Sequence, residues 1–128
     1  MNIVITKISM EDSGRILVEF QTCFGDGNAL WVGQNPILGN SYVVEIEIPG
    51  KLSWGEHILK CNQEESKIEN KGDYICLTGI LLSVEENGFS VMKIENNLVL
   101  LEAVGKSFEK GIFIEVMAKN IIVYDTNI

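Results

Sequence analysis

Apolar side chains recur at every second position over most of this chain, and that spacing restricts its fold more than any other feature. Ile16, Val18, Phe20, Thr22 and Phe24 share one side of an extended segment, with Arg15, Leu17, Glu19, Gln21 and Cys23 on the other. Tyr42, Val44, Ile46 and Ile48 alternate in the same way with Val43, Glu45 and Glu47. A period of two belongs to strands that bury one face. Further strand-type runs follow at Tyr74–Val84, Phe89–Ile94, Leu98–Leu101, Ile112–Met117 and Ile121–Tyr124. Helix is scarce, because no window repeats apolar residues at i, i+3, i+4 and i+7 behind a cap. The best short candidate is Ala103–Lys110, which ends at Gly111 and reads equally well as an irregular loop.

Eight or nine short strands with turn signals between them predict an all-β domain, a small antiparallel barrel or sandwich with at most one short helix. A chain of 128 residues has room for one core, so residues 1–128 read as one domain. The C-terminal part, Tyr74–Asp125, has a long strand interrupted by Gly79, two hairpin partners, a crossing segment and two last strands. That order is OB-like, and the glycine reads as a bulge or a bend. Asn87-Gly88 predicts a tight two-residue hairpin, since both residues tolerate positive φ. Asn96-Asn97 and Lys119-Asn120 read as further turns. Gly25–Asn40 reads as a long connection with at most a short strand at Ala29–Val32, and Gly25-Asp26-Gly27-Asn28 within it as a turn. Asn62–Gly72 reads as an extended strand with Ile68 inward, or else as a loop.

The expected location is the cytoplasm. The longest apolar runs are four residues, far short of the ~20 that cross a bilayer, so no membrane partner is expected. The N-terminal Met1-Asn-Ile-Val-Ile-Thr-Lys-Ile has no charged leader ahead of its short apolar stretch. Cys23, Cys61 and Cys76 show no C-x-x-C spacing and read as reduced thiols.

Nothing in the sequence assembles a catalytic constellation. The one histidine, His57, stands beside an expected strand start and reads as structural. No nucleophile-elbow, P-loop, zincin or dinucleotide fingerprint is present, and no cofactor or metal is expected. Charge is the informative quantity. Ten basic groups against eighteen acidic ones give a net charge of −8, and Arg15 is the only arginine. Acidic groups outnumber basic ones six to two in residues 1–50 and eight to four in residues 73–128, with four of each between. Such a surface repels phosphates, so nucleic acid is not the expected partner. It favours a basic protein, whose approach a negative face accelerates.

The candidate contact residues follow from that argument. Glu45 and Glu47 leave the same face of one strand about 7 Å apart, and Glu85 and Glu86 sit beside a turn. Trp54 is an aromatic anchor of the kind that interfaces use. The alternatives are a solvated outer face for the carboxylates and, for Trp54 as for Trp31, a ring folded back to cap a barrel.

The strings Tyr42-Val-Val-Glu-Ile-Glu-Ile-Pro, Trp54-Gly55, Leu77-Thr-Gly-Ile-Leu and Ile122-Val-Tyr-Asp-Thr-Asn-Ile resemble those of small acidic β-rich bacterial proteins. Some of these are immunity proteins of contact-dependent inhibition and other polymorphic toxin systems. The resemblance runs from Tyr42 to the C-terminus and rests on strand patterning. It implies a stoichiometric inhibitor whose partner is a cognate protein toxin, often a basic nuclease, and it brings no functional residues with it. A β-barrel assembly module forming homo-oligomers, or an OB-type ligand-binding domain, is the alternative.

Overall fold

A computed structural model describes all 128 residues. It contains eleven strands and no helix. They are β1 (Asn2–Met10), β2 (Ile16–Thr22), β3 (Gly25–Val32), β4 (Ser41–Ser53), β5 (Ile58–Lys60), β6 (Lys67–Lys71), β7 (Tyr74–Val84), β8 (Phe89–Ile94), β9 (Asn97–Val104), β10 (Phe113–Ala118) and β11 (Ile122–Asp125). The all-β expectation holds. No helix is long and apolar enough to cross a membrane.

The strands form one continuous sheet that partly closes on itself. β1, β2, β3, β11 and β4 pair in that order, and β4 pairs back to β1, making a ring of five. All its pairings are antiparallel except β3 with β11. β1 serves both sides of the closure: Asn2–Val4 pair with β4, Val4–Met10 pair with β2, and a register shift lies between Ile5 and Lys7. Such an irregularity bends a strand and lets it leave one neighbour for another. The rest of the sheet grows from the far half of β4, through β9, β8, β7 and β10 to β5. β4 and β9 run parallel, with a second irregularity between Glu47 and Lys51 at Pro49-Gly50. The strands expected over Tyr74–Asp125 therefore form but divide: β7 to β10 build this second half, and β11 returns to close the ring.

Alternation in the sequence becomes burial in the fold. A single cluster of 25 buried apolar residues fills both halves, with Ile3, Phe20, Leu77, Met92, Ile114 and Val123 fully enclosed. Each large side chain so buried contributes about 1.5–3 kcal/mol relative to exposure. The segment Asn62–Gly72 contains the strand β6, with Ile68 as its one fully buried residue. β7 changes neighbours at Gly79, pairing with β6 before it and with β8 after it. A Cβ at Gly79 would run into the Lys93 carbonyl, so the glycine lets β8 come close at the changeover.

Several local expectations are corrected. Gly25-Asp26-Gly27-Asn28 is strand and not turn: it pairs with Glu19–Thr22, and the hairpin turns at Cys23-Phe24. Gly27 is there for packing, since a Cβ would stand 2.8 Å from the Phe20 ring and 2.9 Å from Ile75. Trp31 is thus a buried strand residue, its indole N–H donating to the Gln34 carbonyl at 2.7 Å and its ring edge-on to Tyr42. Of the two readings of Ala103–Lys110 the loop holds from Gly105 to Lys110, while Ala103 and Val104 continue β9 beside β4. The β7–β8 hairpin is longer than a two-residue turn: Gly88 donates to the Glu85 carbonyl and Glu85 to the Phe89 carbonyl. Gly88, at φ +92, takes the left-handed position. The turn between β8 and β9 is Glu95-Asn96, one residue ahead of the expected Asn96-Asn97.

Candidate binding face

Register decides which side chains meet on the outside of the sheet. Val91 of β8 is opposite Leu100 of β9, and Leu100 is in turn level with Glu47 of β4. Ser83 of β7 extends this row on one side and Ile122 of β11 on the other. One step along, Phe89 is opposite Glu102. Facing cross-strand pairs hold their Cβ atoms about 4.5–5.5 Å apart, so these residues form one surface. It is a groove of about 420 Å3 whose lining includes Phe89, Val91, Leu100, Glu47, Glu85 and Glu102.

Two properties set this groove apart. Its floor exposes large apolar side chains, with Phe89 55% and Leu100 51% accessible, and Leu98 nearby at 54%. Its rim carries three carboxylates with little internal compensation. Glu102 has Lys51 at 4.0 Å, a loose ion pair between a half-buried carboxylate and a largely exposed ammonium, and a pair so open to solvent contributes little. Glu47 accepts a hydrogen bond from the Tyr124 hydroxyl at 3.3 Å and has no basic partner, and Glu85 has neither. Burial, then the Glu47 charge, then that hydrogen bond push the Tyr124 phenol above its ordinary 10.0, because each favours the neutral form.

The five residues expected to make contact are dispersed unevenly. Glu47 and Glu85 come together on the groove. Glu45 is exposed on the same strand and lines an adjoining cavity of about 370 Å3 with Met1, Leu98 and Leu100. Glu86 is exposed in the β7–β8 turn and does not line the groove. Trp54 does not line it either. Its ring packs edge-on to Phe108 at 5.2 Å, with the Lys60 ammonium 5.4 Å over the Phe108 ring, and the Trp54 backbone N–H donates to the Val104 carbonyl. Trp54 thus lies half-buried against the hydrophobic core.

Phe89, Leu100 and Glu102 were not anticipated. A signal for Leu100 was present: Leu98 and Leu100 alternate with Val99 and Leu101, so β9 is apolar on both faces, which a strand with a solvated side does not need.

The other chemical groups serve the fold. His57 Nδ1 accepts the Ser53 N–H at 3.0 Å, and the His57 carbonyl accepts the Met117 N–H. The histidine thereby holds the β4–β5 turn against β10. Cys76 is buried, and burial, followed by the charge of Glu115, pushes its thiol above the ordinary 9.0. No three His, Cys, Asp or Glu side chains cluster as a metal site would require. No family model matches the chain, and no curated protein or solved structure is found similar to it.

Proposed function

We propose that this protein is a stoichiometric inhibitor, an immunity protein that neutralises a basic toxin domain by covering its active surface. The observation that carries the reading is the groove, where exposed Phe89 and Leu100 are bordered by Glu47, Glu85 and Glu102. An apolar centre with a charged rim is how protein interfaces are built. The net charge of −8 adds long-range attraction for a cationic partner. On this reading the protein is a binding partner and not an enzyme, it works in the cytoplasm, and it does not bind nucleic acid. Its three free thiols suit a reducing compartment.

An OB-like barrel finds support in the five-stranded ring, but that ring draws β1 to β4 from residues 2–53 and only β11 from Tyr74–Asp125, the segment in which the OB-like order is expected. OB barrels likewise close five strands in Greek-key order. Self-association through the groove is disfavoured, because a second copy would bring three more carboxylates against the first three.

The test is recovery of a 1:1 complex with a basic protein from the native cell, followed by an assay of that protein's activity with and without the inhibitor. Joint reversal of Glu45, Glu47, Glu85 and Glu86 to Lys is expected to abolish protection and slow association. Unchanged protection and on-rate in that variant would remove the electrostatic mechanism. A stable homo-oligomer with no protein partner would replace it with the assembly module.

A further inference from the structure

Resting on the reading above, we infer that the groove on β8, β9 and β4 is a seat for an arginine side chain presented by the partner. The occupant must satisfy an apolar floor and three carboxylates at once. An uncharged apolar side chain would cover Phe89, Val91 and Leu100 but would strip water from Glu47, Glu85 and Glu102 without replacing it, which is costly. A bare ammonium would meet the charges and leave the floor wet. Arginine does both: its three-carbon stem lies along Leu100 and Val91, and its planar guanidinium spans neighbouring carboxylates with paired N–H bonds.

The positions suit that division. Phe89 and Glu102 are cross-strand neighbours, as are Val91 and Leu100, so the aromatic ring and one carboxylate lie side by side, one step from the aliphatic pair. Glu47 is level with Leu100 on the far side of β9, and Glu85 enters the same cavity from the β7–β8 turn. A guanidinium between them faces acceptors from two directions and lies within reach of the Phe89 ring, a stacking partner for a cation. Lys51, already 4.0 Å from Glu102, has its side chain 68% exposed, so it is free to swing into solvent.

The experiment is a titration of the isotope-labelled full chain, followed by amide NMR shifts, with the peptide acetyl-Gly-Arg-Gly-amide. The same peptide carrying citrulline, which keeps the shape and loses the charge, is the first control; the lysine peptide is the second. The expected result is a set of saturable shifts confined to Glu47, Glu85, Phe89, Leu100 and Glu102, at least tenfold weaker for lysine and absent for citrulline. The E47Q/E85Q variant, whose own spectrum reports that it is folded, is expected to weaken the arginine peptide at least tenfold. Equal binding of the citrulline peptide, or shifts spread over Glu64, Glu65 and Glu69 as well, overturns the assignment. If a basic protein partner is captured and is released by charge reversal while the arginine peptide produces no shifts, the arginine seat fails and the inhibitor reading stands. If the peptide binds as expected and no basic partner is recovered, the reverse holds.

Discussion

Two surface hollows of this molecule have similar size and opposite character. One, of about 320 Å3 on the five-stranded ring, is lined by Lys7, Ser9, Glu19, Asn28, Lys119 and Asn120, among others. The other is the 420 Å3 groove with Glu47, Glu85, Glu102 and Phe89. In the first, charges of both signs are present, and Lys7 already stands 3.8 Å from Glu19. In the second, one sign dominates above an exposed aromatic ring. The difference teaches that depth and charge count do not mark a docking site. What marks it is charge and apolar area that the molecule leaves unanswered, since both become favourable only when something arrives.

The comparison breaks most decisively under charge reversal. Changing Glu47, Glu85 and Glu102 to Lys together is expected to slow association with the proposed basic partner by roughly a hundredfold at low salt, read by stopped-flow. Changing Lys7 and Lys119 to Glu is expected to leave the rate within about twofold. Equal effects from both sets would mean that only net charge matters. A backbone change comes next. Gly25 has φ +126, and a Cβ there would collide with the Ile68 carbonyl of β6. Gly25→Ala is expected to cost about 2–3 kcal/mol in urea unfolding, because it pushes β6 away from the ring where the Ile68 N–H donates to the Phe24 carbonyl. Phe89→Ala sharpens the contrast further. With the ring more than half exposed, its loss is expected to change stability by less than about 0.5 kcal/mol and to weaken partner binding about tenfold or more.

The smallest effect concerns Tyr124 and high pH. Its phenol titrates above 10.0 in the folded chain, so the folded state holds a proton that the unfolded state releases. The stabilisation is therefore complete below pH 10 and is lost as pH climbs through the raised folded value. Tyr124→Phe is expected to flatten that alkaline decline in a denaturation series between pH 9 and 11.5. An unaltered slope would show that Glu47 and the phenol do not interact in solution.

Much of the fold was legible in the sequence where one residue's requirement agrees with its neighbours'. β7 and β8 form over the ranges their residues predict: β7 is a β-type run buried on both faces from Ile75 to Gly79, β8 alternates, and Gly79 allows the changeover between them. β3 was harder because glycine has two uses. In Gly25-Asp26-Gly27-Asn28 the local chemistry says turn, while Phe20, Ile75 and Ile68 closing over Gly27 demand a residue with no side chain. The site was half legible. Glu47 and Glu85 follow from exposure and charge, but their meeting depends on a parallel ladder between β4 and β9, strands separated by more than forty residues. Nothing local encodes that register. Trp54 stands out in the sequence by residue type alone, and its packing on Phe108 depends on a loop whose path no periodicity describes.

The placing of β11 between β3 and β4 also gives the molecule a clock. Leu30–Val32 and Val44–Glu47 are made early by the ribosome, yet the segment that joins them, Ile122–Asp125, emerges some 75 residues after β4 begins to offer its edge. At about 5–20 residues per second that leaves several seconds in which two bare strand borders wait, open to pairing with another nascent chain. A helper that shields them, or a slow stretch of translation placed elsewhere, would change yield without altering a single contact in the finished protein.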